Sequence, residues 1–126
     1  MIFLWLQGKT GSWDEHAVRY VFLLTKPPLR ASGQAILTYA CIARSQGHAV
    51  EVYLVSDGVL WALGAKRAEL LRALLTYGAR VVARAEDLAA RGLLAETRLP
   101  GIETPRDFYA QLLDAVMEGS DRVVCG

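Results

Sequence analysis

The sequence predicts an α/β fold, a three-layer α/β/α sandwich built on a mainly parallel sheet. Two apolar runs, at 19–25 and 50–55, are continuous enough to be strands covered on both faces. Stretches of helical periodicity separate successive strand-like runs, and that alternation implies parallel pairing through right-handed crossovers. Glycine or proline marks nearly every joint: Pro27-Pro28, Gly47, Gly78, Gly92 and Gly119.

Residues 1–15 stand outside the alternation. Their apolar segment, 2–6, suits an extra edge strand, an oligomer arm or a partly ordered tail. The α/β domain is read as 16–126. Tyr20, Val21, Phe22, Leu23 and Leu24 form the first strand, which the two prolines end. Residues 31–45 follow as a helix with Ile36, Leu37, Ala40, Cys41 and the stem of Arg44 inward. Ser32 or the loop before it supplies the cap, and Gly47 the stop. The second strand, 50–55, ends on Ser56-Asp57-Gly58, a polar turn at the strand's carboxyl end. In parallel α/β proteins that edge is where ligands bind.

Residues 66–77 are a helix, with Leu70, Leu71, Leu74 and Leu75 on one side and Gly78 beyond the end. A short strand at 80–84 and a short helix at 86–91, stopped by Gly92, come next. Leu99-Pro100-Gly101-Ile102 is a loop. Thr104 as N-cap and Pro105 at the first helical position begin a helix reaching Met117, with Phe108, Leu112, Leu113 and Val116 buried. Gly119 closes it, and 122–125 is the last strand. The runs at 20–24 and 50–55 are expected at the centre of the sheet.

Composition narrows the function classes. The chain has 126 residues, 53% apolar and 21% charged, which suits one domain with a real core and argues against disorder. A net charge of +1 advertises neither nucleic acid nor an acidic partner. Trp5, Trp13 and Trp61 do not interleave with a basic run, so no single-stranded nucleic-acid platform is indicated. Residues 1–6 are too short to span a membrane and lack a basic leader and a cleavage site. A cytoplasmic location is therefore expected. Eleven arginines, three lysines and no asparagine suggest a thermophilic source. Cys41 and Cys125 match neither zinc nor redox-pair spacing, and no cofactor is expected.

The order of these pieces resembles the DsrE/DsrF-like family of small sulfur-relay proteins, from about Tyr20 to Val124. Its carriers are the first strand and its proline loop, Ala35-Ile36-Leu37, Gly47-His48-x-Val50-x-Val52, Ser56-Asp57-Gly58-Val59, Ala90-Arg91-Gly92-Leu93, Leu99-Pro100-Gly101-Ile102 and Asp121-Arg122-Val123-Val124. The resemblance implies an α/β/α sandwich, assembly into dimers, trimers or hexamers, and handing of a cysteine persulfide to partner proteins of a sulfur relay. In the family the carrier cysteine lies at the end of the third strand, about eight residues before the glycine that corresponds to Gly92. Here that position is Arg84, flanked by Ala83 and Ala85. A guanidinium cannot carry sulfane sulfur, so the resemblance implies the fold without the carrier.

Cys125, at the carboxyl end of the last strand, is the remaining thiol candidate, with helix amino termini or Arg84 as aids to its ionisation. A small apolar strand residue is the plainer reading. Cys41, mid-helix, reads as core filler. Arg84 before a helix start makes an anion site conceivable, although Glu86 and Asp87 already occupy that first turn. Asp57, with Ser56 and Gly58, either orients a ligand or simply makes a turn. Thr25 and Lys26 share the same sheet edge by position. Gly8-Lys9-Thr10 lacks the earlier glycine of a phosphate loop, because Phe3 stands there. No glycine-rich loop follows the first strand, which disfavours a flavodoxin-like nucleotide binder. His16 and His48 read as surface histidines, and Leu60-Trp61 as an exposed patch suited to a subunit interface. Three functions follow in order: a structural or binding subunit without the carrier, a sulfurtransferase using Cys125, and a small-molecule or anion binder.

Overall fold

A computed structural model describes residues 18–28, 31–63 and 68–126. Four strands, β1 (Arg19–Leu24), β2 (Ala49–Leu54), β3 (Arg80–Ala83) and β4 (Arg122–Cys125), form an all-parallel sheet in the order β3-β2-β1-β4. The two long apolar runs are therefore the central strands, as their composition implies. Residues 1–17, including the apolar 2–6 segment, lie outside the described residues.

Helix α1 (Ala31–Ser45) joins β1 to β2, α2 (Glu69–Thr76) joins β2 to β3, and α3 (Ala85–Ala90) follows β3. All three pack on one face of the sheet. Leu37, Ala40, Ala43, Leu71, Leu74 and Leu88 share a core there with Phe22, Leu24, Val50, Val52, Leu54 and Val81. Each fully buried aliphatic or aromatic side chain contributes about 1.5–3 kcal/mol. The other face carries Val21, Tyr53 and Val82, covered by Phe108 and Ala115 of the last helical segment. That segment is α4 (Phe108–Asp114), continued by a π-helical turn, Ala115–Gly119. The arrangement is the α/β/α sandwich expected. Among the described residues no helix is long and apolar enough to cross a membrane.

Several local expectations need correction. The last helix does not start at Thr104-Pro105. Glu103 is held beside β3 instead, its N–H donating to Val81 and its carbonyl accepting from Ala83 at 2.8 Å. That ladder keeps 103 extended, and Pro105 biases Thr104 against helix. Leu113 is 61% exposed, because it sits off the Phe108–Leu112–Ala115 stripe. Ser32 lies inside α1 rather than capping it. The Ser56-Asp57-Gly58 turn opens a 3-10 helix, Ser56–Ala62.

Trp61 is fully buried, not part of an exposed patch. The 3-10 helix turns it inward, and its indole Nε1 donates to the Lys26 carbonyl at 3.2 Å. Gly33 makes the room: a Cβ there would approach the indole to 2.7 Å. His48 also has structural work. Its Nδ1 accepts from the Val18 N–H at 3.0 Å, and its carbonyl accepts from Arg44 at 3.2 Å.

Candidate functional site

Parallel strands bring their carboxyl ends to one edge, and the register fixes who stands beside whom. Leu54 pairs with Leu24 and Ala83, and Cys125 pairs with Leu23. The edge therefore reads, in order, Arg84 after β3, Ser56 to Gly58 after β2, Thr25 and Lys26 after β1, and Cys125 ending β4. Every sequence-derived candidate is on it, but they do not converge.

Arg84 and Asp57 belong to one polar cluster. Asp87 is its centre: its carboxylate accepts from the Ser56 N–H at 2.8 Å and from Arg84 Nη1 at 3.1 Å. Arg91 reaches across, with Nε and Nη2 donating to Asp57 Oδ1 and Nη1 to the Asp87 carbonyl. Arg84 also approaches Glu86 and lies over the Tyr109 ring at 5.0 Å. Two guanidinium groups thus face three carboxylates, a local excess of one negative charge. Both arginines are already paired, which weakens the anion-site reading. Ser56 holds a left-handed backbone, φ 57°, uncommon outside glycine and anchored here by Asp87.

Gly58 serves the backbone. A Cβ on it would run into the Leu24 carbonyl oxygen, so the 3-10 helix passes under β1 only without a side chain. Thr25 is turned toward the last residue: its N–H and Oγ1 donate to the Gly126 carbonyl at 2.7 and 3.0 Å. Lys26 is exposed, and its carbonyl holds Trp61.

The two thiols differ. Cys125 is exposed on the edge strand. It stands three strand spacings from Arg84, roughly 14 Å, so the two side chains do not meet in one site. Cys41 is half-buried in α1, its Sγ 3.7 Å from the Leu70 carbonyl, and burial pushes its pKa up. It stays a protonated thiol near neutrality. Among the described residues no group of three or more His, Cys, Asp or Glu is placed to hold a metal ion.

Sequence reasoning missed two sets of residues. Asp87 and Arg91 had a signal, since Arg84, Asp87 and Arg91 follow the i, i+3 and i+4 spacing of helical ion pairs. The second set lies at the opposite end of the sheet, around an open cavity of about 480 Å³ lined by Arg19, Glu51, Tyr53, Arg80, Gln111 and Glu118. Arg80 donates to Glu103 through two nitrogens, to Gln111 at 2.6 Å, and to the Tyr53 hydroxyl at 3.3 Å. Tyr53 in turn donates to Glu51 at 2.6 Å. Burial, then that bond, raise the Tyr53 pKa, and the bond from Arg80 holds Glu103 below the usual carboxylate range. A charge inside the apolar run at Glu51 was the available sign, with Tyr53 two residues on along the same strand face; its arginine partners lie 29 and 32 positions away, beyond any local spacing rule.

A family model described as DsrE/DsrF-like matches residues 18–125. Comparison with curated proteins gives no significant match. Among solved structures, the YchN protein of E. coli superposes with a TM-score of 0.74 at 18% identity, covering 87% of this chain and 99% of its own. MTH1491 of Methanobacterium thermoautotrophicum gives 0.67 at 18% identity, covering 86% and 99%. BT1422 of Bacteroides thetaiotaomicron gives 0.70 at 16% identity, covering 86% and 94%. Identities this low carry the fold and no activity.

Proposed function

Because this chain belongs to the DsrE/DsrF-like family, we propose that it is a member without the carrier cysteine, acting as a structural or binding subunit of a sulfur-relay-type assembly. One observation carries the reading. The residue just past β3 is Arg84, and its guanidinium is tied to Asp87 and stacked on Tyr109. Only a thiolate among protein side chains here attacks a sulfane sulfur, and neither cysteine lies at that strand end. The partners expected are further copies of this chain, as dimer, trimer or hexamer, and sulfur-relay proteins. Exposed Tyr39, Ile42, Leu94, Leu113 and Met117 support association.

A second reading has Cys125 as the persulfide carrier, favoured by its exposure at the carboxyl edge. Intact-mass measurement after incubation with a cysteine desulfurase and its substrate separates the two. The first reading expects no reductant-sensitive gain of one sulfur atom. If a gain is seen and Cys125→Ser abolishes it while Cys41→Ser does not, the second reading replaces the first. Transfer surviving Cys125→Ser would sink both.

A further inference from the structure

The cavity of about 480 Å³ opens at the amino-terminal end of the sheet, away from Arg84 and Cys125. One wall is the sheet. Arg80 stands beside Glu51 in the β2–β3 ladder, and Tyr53 follows Glu51 on the same face. The other wall is the last helical segment, where α4 widens into its π-helical turn. That turn brings two residue pairs to the cavity, Asp114 with Ala115 and Glu118 with Gly119. Turns of this kind recur at functional sites. Gly119 also clears a path for Arg19, since a Cβ there would come within 3.3 Å of Nη2.

The hydrogen bonds show which chemistry is left over. A guanidinium has five N–H donors, and Arg80 uses all of them. Two reach Glu103, one Gln111, one Glu51 and one the Tyr53 hydroxyl. Tyr53 gives its own proton to Glu51, and the Gln111 amide nitrogen donates to Asp107. Arg19 reaches Glu51 at 3.3 Å. The donors on the sheet wall are thus largely engaged. The acceptors on the helix wall are not: among the described residues neither Asp114 nor Glu118 forms an ion pair, and both are exposed at the cavity. Two guanidinium groups line the space with three carboxylates, and Glu103 behind Arg80 adds a fourth.

We propose that this cavity binds a small organic cation, an aliphatic amine whose ammonium sits between Asp114 and Glu118. Charge, vacant acceptors and size agree. An ammonium supplies three donors and no acceptor, which matches what the helix wall lacks. An anion finds no vacant donor on Arg80 and meets the negative excess. A bare metal ion fits less well, because among the described residues no three His, Cys, Asp or Glu are grouped to hold one. The volume lies in the range of small-molecule pockets. The site is separate from the sulfur chemistry at the carboxyl edge and does not depend on it.

Titration of the full chain with 1,4-diaminobutane, followed by NMR at low salt, tests the assignment. The Gly119 backbone amide and the Gln111 side-chain amide should shift and saturate, with a Kd of about 1 mM or tighter. Succinate and 1,4-butanediol, of similar length but negative or neutral, should not produce a saturating shift. Asp114→Asn with Glu118→Gln should weaken the diamine at least about tenfold. Glu96→Gln, an exposed carboxylate outside the cavity, should leave its Kd unchanged. If the double variant does not fold, the three probes on the unsubstituted chain decide alone. No saturation with the diamine overturns the proposal, as does an equal response to succinate or butanediol. So does an unchanged Kd in the folded double variant, or an equal loss in Glu96→Gln, which would reduce the effect to general surface charge.

Discussion

Single atoms decide two positions. At Gly58 the obstacle to any side chain is the Leu24 carbonyl, a backbone atom that cannot move aside. Gly58→Ala should therefore cost about 2–4 kcal/mol in urea unfolding. Gly92 is the control: its φ is +69° but nothing lies within 4 Å of an added Cβ. Gly92→Ala should cost only about 1 kcal/mol. Equal losses at the two sites would show that the clash at 58 is relieved by backbone shift. His48 gives a pH dependence. Burial lowers its pKa, and Nδ1, the acceptor for Val18, must stay unprotonated to keep that bond. The unfolded chain takes up the proton first, so this stability is present above about pH 6.5 and falls as pH drops through the lower folded value. Denaturation midpoints from about pH 7 to 5 should decline, and His48→Gln should flatten the decline. An unchanged slope in that variant would mean His48 is not the source. The sequence offered a glycine in a turn and a lone histidine; it could not show the carbonyl or the N–H that each one meets.

Among the elements, long periodic ones were legible and short ones were not. Helix α1 has the span expected, 31–45, because fifteen residues of one pattern leave little ambiguity. The last helix was read three residues too long at its start, because Pro105 after Thr104 imitates a cap and only the pairing of Glu103 with β3 overrides it. The 3-10 helix was taken for a turn, since its first three residues favour either. What fastens that helix to α3 is Asp87, a half-buried carboxylate serving the Ser56 N–H and Arg84. Asp87→Ala should destabilise the chain by about 1–3 kcal/mol, since it strips a charge-assisted acceptor from a backbone donor. The loss should appear locally, as faster amide exchange at Ser56 and through α3. If exchange quickens equally in β1 and β2, Asp87 supports the whole fold rather than this junction.

For the whole molecule, alternation of strand and helix was enough to give the parallel sheet and its two central strands. It could not give the polar cluster of Glu51, Tyr53, Arg80 and Glu103, assembled from β2, β3 and the segment after α3. Nor could it place Trp61, whose burial depends on an absent side chain at Gly33. With Trp61 in the core, the expected association must use other apolar surface, and Leu113 and Met117 are the most exposed of it on the last helical segment. Light scattering at micromolar concentration should give a mass above 13.8 kDa, and Leu113→Lys with Met117→Lys should lower it. A monomer mass that holds as concentration rises removes the oligomer reading.

The strand order also has a consequence for synthesis. β4 inserts beside β1, a partner about a hundred positions earlier; Arg19 and Asp121 are 102 apart. While the chain is being made, β1 can dock on β2 early but keeps its other edge bare until the last strand is released. Loops this long close slowly, and an apolar edge left open on a ribosome-bound chain is a place for chaperones or aggregation to act. Nascent chains stalled before Arg122 should therefore be caught by strand-binding holdases, and chains carried past Gly126 on a linker should not.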